Sequence, residues 1–292
     1  MTKRHAPKRG FHLGQDPEVP YVEDHVVNQD RSRMSSFTLT LVSKRVKDKV
    51  NVDGWDLIVP AERARSVWKA LVFSGARAIG WEARKALNTE LGVANFPQDY
   101  PDTNSGALFW HEASAEAETR YFAKPKAKRI PYQTTSPFCP DWKSLLFPEK
   151  QELEPFCVLR GDQFLQAFPF DRRSSNSSVV RVSLPTLVQV VLHLPRRGIP
   201  QVNAMICVPT ATHYENWQHT SSWNGEAMEQ GHPASIIGYV TSVTLRSRIA
   251  FGLCHCEMIQ QLYIQDSCVA GLAMLRNPAS PHYRPCWLKV IG

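Results

Sequence analysis

No run of this sequence approaches the ~20 consecutive apolar residues of a membrane-spanning helix, and the opening MTKRHAPKRG lacks the apolar core of a secretory leader. These absences predict a soluble, intracellular chain. The seven cysteines are odd in number and irregularly spaced, which argues against a disulfide framework and for reduced thiols in cytosol or nucleus. No G-x-x-x-x-G-K-[ST] loop, G-x-G-x-x-G turn or G-x-S-x-G elbow occurs, so familiar routes to phosphate cradling and serine nucleophilicity are missing. There is no internal repeat.

What is present is ordinary globular composition, 43% apolar and 21% charged over 292 residues, enough for two packed units. Lys and Arg number 34 against 27 Asp and Glu, a net charge of +7. That balance favours a polyanionic partner, because each cation set on a phosphate releases condensed counterions. It is also what a basic surface with no special role would carry. The 21 prolines imply many loops and short strands.

Three regions emerge. Residues 1–50 form a polar lead-in in which Phe37 to Val52 alternates enough for a strand or two. Residues 51–150 open with a helical period: Trp68, Leu71, Val72, Ala76, Ile79, Ala83 and Leu87 recur as one buried face requires, with Gly75 and Gly80 dividing the run into two helices or kinking it. On another face Arg77, Trp81, Arg84 and Lys85 fall at i, i+4, i+7 and i+8 if the helix continues past Gly80. Three cations around an indole suit phosphate contact with base stacking; a solvated face around a half-buried Trp has the same pattern. A loop-like stretch then runs to about residue 150. Its basic run Lys124, Lys126, Lys128 and Arg129, kept from helix by Pro125 and Pro131, reads as RNA contact, nuclear-import signal or solvated surface. Residues 151–292 are β-rich, from SVVRVSLPTLVQVVLHL through NAMICVPT, ASIIGYVTSVTL and LYIQDSCVAGLAML to CWLKVI. The polar DRRSSNSSVV at 171–180 is expected to be a flexible surface loop.

Two constellations invite chemistry. NFPQDYPDT, residues 95–103, brings Asp99 and Asp102 together as two carboxylates able to share a divalent ion. Phosphoryl-transfer sites draw further ligands from elsewhere, none of which is identifiable, whereas aspartates near prolines commonly brace turns. The turn reading is preferred. Cys254, His255 and Cys256, with Cys268 downstream, could ligate zinc only through a bulge, since neighbours in a strand face opposite ways. No C-x-x-C accompanies them, so they read as core thiols.

Residues 54–103, GWDLIVPAERARSVWKALVFSGARAIGWEARKALNTELGVANFPQDYPDT, resemble the POPLD segment of the processing-of-precursor (Pop-one) family. The resemblance rests on Gly54 to Pro60, on Trp68 with Ser74 to Arg77, and on Phe96 to Thr103. SPFCPDW, FCVLR, LVQVVLHLPRRGIPQVNAMICVP, IIGYVTS and LRNPASPHYRP extend it over residues from about 40 to 292. Where the family has a glycine-rich turn after GYVTSG, this chain reads VTLRSRIAFGLCHC and keeps Gly252. About fifty residues stand where the family has a long basic region before POPLD.

The family is the largest protein of eukaryotic ribonuclease P and ribonuclease MRP. The resemblance therefore implies a non-catalytic, RNA-binding scaffold in a ribonucleoprotein whose RNA cleaves. It implies tRNA 5′-leader removal and rRNA processing, ribonuclease P RNA or MRP RNA and other protein subunits as partners, a nuclear and nucleolar location, and neither cofactor nor metal. It also implies an α+β fold: a helical and loop POPLD segment, 51–150, packed on an antiparallel, barrel-like C-terminal domain, 151–292. Under it Arg77, Trp81, Arg84, Lys85, Lys124, Lys126, Lys128, Arg129, Arg276 and Arg284 become RNA-contact candidates. Phe96, Pro97, Asp99, Tyr100, Pro101 and Asp102 become a structural motif. Two rivals stay open: a one-carbon transfer enzyme, since the C-terminal half is similar in fold to folate-binding aminomethyltransferases, and a protein-only interaction module.

Overall fold

The computed structural model describes residues 37–44, 54–132, 134, 136–160, 184–220, 222–227, 235–243, 247–264 and 271–291. The polar insertion at 171–180 and Cys268 lie outside the described residues. The chain divides into two compact units, Met1–Arg84 and Lys85–Gly292.

In the first unit β1 (Thr40–Lys44) and β2 (Gly54–Ile58) pair antiparallel, Thr40 opposite Ile58 and Lys44 opposite Gly54. A 3₁₀ turn at Ala61–Arg63 leads into α1 (Ala64–Phe73). Gly75 ends that helix at φ +98°, while the N–H groups of Gly75 and Ala76 close on the carbonyls of Val72 and Leu71, each at 3.0 Å. This is a Schellman closure, and it divides the run into two helices as the glycines there suggested, although the single apolar face does not carry through it. Ala76 and Ile79 therefore leave the helix, and the buried pair is Val67 with Ala70, whereas Trp68 is 54% exposed. A new helix, α2 (Trp81–Leu91), starts beyond Gly80, and the division between the units falls within it.

In the second unit the expected loop beyond residue 103 is instead a 19-residue helix, α3 (Asn104–Phe122). Thr103 caps it, its hydroxyl accepting from the Gly106 N–H at 3.1 Å, and NSGALFWHEASAEAETRYF holds no proline to stop it. Only Gly106 and Trp110 of α3 are buried, so the helix has almost no apolar stripe for periodicity to detect. A short α4 (Trp142–Leu146) follows, capped by the Asp141 carboxylate on the Ser144 N–H at 3.0 Å.

The remaining elements are β3 (Cys157–Leu159), β4 (Thr186–His193), β5 (Met205–Cys207), α5 (Ala211–His219), β6 (Glu226–Ala227), β7 (Ile236–Val243), β8 (Ile249–His255), α6 (Cys256–Ile264), β9 (Leu272–Arg276) and β10 (His282–Val290). The start of LYIQDSCVAGLAML, expected as strand, is thus helical through Ile264. Six strands run β4-β8-β7-β5-β9-β10 and close where β10 pairs with β4, Trp287 opposite His193. Every ring pairing is antiparallel. The class is α+β with an antiparallel barrel in the C-terminal half. β3 lies parallel on the first half of β4, and β10 takes the second half of that edge.

Period-two alternation sends the two faces of the ring strands to different clusters. Val188, Ile206, Val240, Cys254, Leu275 and Leu288 join one, with Ile259 of α6. Leu187, Met205, Tyr239, Leu253 and Met274 join the other, with Trp142, Leu146 and Phe147 of the α4 region. Backbones crowd at Gly252, where an added Cβ would lie 2.7 Å from Ile206 Cδ1 and 2.8 Å from the Tyr239 carbonyl oxygen. Gly238 on β7 is tighter still, an added Cβ there lying 2.2 Å from the Leu253 carbonyl oxygen.

Candidate nucleic-acid interface

The stretch NFPQDYPDT links α2 to α3 and fastens onto the barrel. Asp99 is 1% exposed. Its Oδ2 accepts the Asn95 N–H at 2.6 Å, and its Oδ1 accepts the Ser242 hydroxyl at 2.6 Å. Gln98 donates its side-chain amide to the same Ser242 oxygen. Ser242 stands on β7, in GYVTS, so two stretches that were legible separately meet at one hydroxyl. Burial pushes the Asp99 carboxyl above its ordinary range, opposed by hydrogen bonds from Ser242, Thr241 and Asn95 and by the charge of Arg160.

Asp102 reaches further. Its Oδ1 accepts from Arg160 Nη2 at 2.6 Å, and its Oδ2 accepts from Arg160 Nη1 at 2.9 Å and from the Val158 N–H at 3.1 Å. The Arg160 guanidinium lies 4.1 Å from the centre of the Tyr100 ring. This two-pronged pair ties the loop to β3 and its exit. Asp99 accepts the N–H of the nearby Asn95, whereas the partners of Asp102 are Val158 on β3 and Arg160 just past it, which local turn chemistry does not indicate. Ser242 and Arg160 were missed as members of the motif; GYVTS and FCVLR were visible, but nothing in a single sequence pairs them with the loop.

The first turns of α3 press on the same loop. Thr103 donates to the Tyr100 carbonyl at 2.8 Å, and Trp110 donates its indole N–H to the Gln98 carbonyl at 3.0 Å. A Cβ at Gly106 would sit 1.8 Å from the Tyr100 carbonyl oxygen. Pro101 is buried, Pro97 is half-buried, and Phe96 is 54% exposed with Tyr100 edge-on at 5.5 Å.

The cations fare unevenly. Arg77 is exposed but lies between α1 and α2, so it does not share a helix face with Trp81, Arg84 and Lys85. Trp81 is 55% exposed, with the Arg84 guanidinium 5.6 Å from its ring. Arg84 also sits 3.9 Å from the Asp56 carboxylate. Lys85, the next residue of α2, belongs to the second unit and is half-buried. Lys124, Lys126 and Lys128 are exposed beyond the end of α3, beside the exposed Phe122. Arg129 instead turns back, donating Nη2 to the Phe122 carbonyl at 2.7 Å and Nε to the Lys124 carbonyl at 2.9 Å, and so closes the helix C-terminus. Arg284 is half-buried and donates to the Asn224 carbonyl at 3.3 Å. Arg276 corrects the expectation outright. It is 6% exposed, spent on Met205 Sδ at 3.1 Å and the Tyr283 ring at 5.5 Å, and has no face to offer a phosphate.

Cys254 and Cys256 are buried thiols, and burial pushes Cys256 up to about 12. Among the described residues no three His, Cys, Asp or Glu side chains are placed to hold a metal, and no helix is long and apolar enough to cross a membrane.

Residues 54–142 match the POPLD (NUC188) domain, and residues 186–235 match the POP1 C-terminal domain. Two successive stretches of the chain are thus similar to parts of POP1 proteins. "Ribonucleases P/MRP protein subunit POP1" of Arabidopsis thaliana is 31% identical over 128 residues, 44% of this chain and 14% of the relative. The human protein of the same name is 30% identical over 95 residues, 32% of this chain and 9% of the relative. The chain thus spans a small part of the length of the family members it matches. An "Aminomethyltransferase" of Methylococcus capsulatus is 34% identical over 92 residues, 30% of this chain and 26% of the relative. Within the POPLD match, the loop that carries Asp99 and Asp102 is fastened to β7 and to β3 and its exit.

Proposed function

We propose that the chain is a non-catalytic, RNA-binding scaffold subunit of ribonuclease P/MRP, serving tRNA 5′-leader removal and rRNA processing in the nucleus and nucleolus, with the RNA as catalyst. The observation that carries this reading is how the POPLD loop spends its carboxylates. Asp99 is buried under Ser242 and Asp102 is bound by Arg160, so neither stands free to act as a base or hold a metal. Cations and aromatics meanwhile stand at the surface, Lys124, Lys126 and Lys128 near Phe122 and Arg77 and Trp81 in the first unit, as recognition of RNA shape requires. The names of the POP1 relatives supply the particle.

Electrophoretic mobility shift with ribonuclease P and MRP RNA across a salt series tests the reading. Binding at ~50 mM salt that weakens steeply as salt rises is expected, and negligible binding at that salt would sink it. The partial match to aminomethyltransferases favours a second reading, a folate-dependent one-carbon transfer enzyme, for which saturable folate binding is the test. Copurification with the other protein subunits after RNA digestion, without an RNA shift, would instead mark a protein-only interaction module.

A further inference from the structure

The register of β4 against β8 sets His193 opposite Ile249, and the Leu194 N–H continues the ladder onto the Arg248 carbonyl at 2.9 Å. Arg196 and Arg197, just past β4, therefore come to the same end of the barrel as Arg248, just before β8. With Ser222 and Asn224 from the segment after α5 they line an open pocket of about 480 Å³. Three guanidinium groups thus share one concavity whose other lining side chains are neutral.

Arg196 is preorganised. Its guanidinium lies 4.4 Å from the centre of the Trp217 ring, itself edge-on to Trp287 at 5.5 Å. Its Nη1 donates to the Thr220 carbonyl at 3.3 Å and to that of Trp223. Its Nε and Nη2 have no hydrogen-bond partner among the described residues. Nor do the side chains of Arg197 and Arg248, and none of the three forms an ion pair among the described residues. Like charges gathered without a counter-charge repel, and a bound anion relieves that repulsion. Arginine forks match the oxygens of a phosphate two at a time.

We propose that this pocket is a phosphate-binding site that takes a backbone phosphate of an RNA strand. The pocket stands on its own geometry; the choice of RNA over free phosphate rests on the scaffold reading above. Arg196 acts as a fixed anchor against Trp217, while the exposed Arg197 and Arg248 close on the phosphate from two chain segments.

The test uses the whole chain, with Arg197→Gln/Arg248→Gln and the charge-keeping Arg197→Lys/Arg248→Lys, both leaving Arg196 and its carbonyl partners untouched. Far-ultraviolet circular dichroism and melting midpoints matching the parent establish that each is folded. The probes are a labelled single-stranded oligoribonucleotide of about ten nucleotides, read by anisotropy over a salt series, and inorganic phosphate, read by tryptophan fluorescence. We expect the Gln pair to weaken oligonucleotide binding about tenfold and to lower the slope of log affinity on log salt by about one. The Lys pair should keep most of the slope and lose part of the affinity. If the parent binds the oligonucleotide and the Gln pair binds it equally, the pocket is overturned and the scaffold reading survives. If the parent ignores RNA but is saturated by inorganic phosphate, with the response lost in the Gln pair, the phosphate site stands and its RNA source falls with the scaffold reading. Binding of neither probe overturns both.

Discussion

Asp102→Asn is the sharpest probe of how the POPLD loop is held. The carboxylate accepts three hydrogen bonds, two from the Arg160 fork at 2.6 and 2.9 Å and one from the Val158 N–H at 3.1 Å. The Asp102 side chain is 12% exposed and that of Arg160 28%. Breaking a fully buried pair costs ~3–5 kcal/mol, and a hydrogen bond to a charged group contributes ~1.5–3 kcal/mol. Partial solvation of both partners brings the expectation to about 2–3 kcal/mol. Asparagine keeps one acceptor oxygen for the Val158 N–H but turns an amide toward the guanidinium, so most of the loss comes from the arginine side. Arg160→Met should cost a similar amount, because it removes the same bonds and the contact with the Tyr100 ring. Urea denaturation of the parent, both single variants and the double variant closes a thermodynamic cycle. The double variant should cost less than the two singles together by about 1–2 kcal/mol. Additivity within ~0.5 kcal/mol would show that the pair does not act as a unit and would refute the account of the loop as a clasp.

Gly106→Ala places a Cβ 1.8 Å from the Tyr100 carbonyl oxygen, a backbone atom that cannot swing aside, so about 3 kcal/mol or more should be lost, visible as a large fall in melting midpoint. Asp99 has a carboxyl pKa raised by burial, so the folded chain takes up its proton before the unfolded chain does. Its contribution is fully present below the ordinary value of 3.8 and is lost as pH rises through the folded pKa. The stability of the parent minus that of Asp99→Asn should therefore decline with rising pH over that window, and a flat or rising difference would contradict the assignment. Replacing Lys124, Lys126 and Lys128 together with Gln should leave the melting midpoint unchanged, since all three are exposed. The same change should lower the salt slope of RNA binding by about two units, read by mobility shift.

Much of the barrel could be read from the sequence, because alternation and β-branched runs such as TLVQVVLH report a strand wherever both faces are buried. α3 could not, since a helix with two buried residues has no stripe to count and its only clear sign is the Thr103 cap. Trp68 and Ile79 were assigned to a buried face by carrying the 3.6-residue period through Gly75, where a left-handed turn resets it. Within the site, the turn chemistry of aspartates near prolines reads Asp99 and Asp102 as structural residues. Their partners are not legible, because Ser242 and Arg160 are 143 and 58 residues away and no local rule links them. Arg276 shows the limit of reading charge as surface: at the end of the buried β9, its guanidinium meets a sulfur and an aromatic ring.

Closure of the ring by β10 on β4 has a consequence for the order in which the chain can be completed. β4 emerges from the ribosome some ninety residues before its second ring partner, and until Trp287 to Val290 are synthesised to meet Val190 to His193, five strands form an open ribbon with bare edges at β9 and along the second half of β4. Such edges pair readily with any extended strand, including those of neighbouring nascent chains. A messenger truncated ahead of His282 would thus yield a sticky sheet in place of a slightly smaller barrel, and quality control would meet it as an aggregating polypeptide before any particle could enlist it.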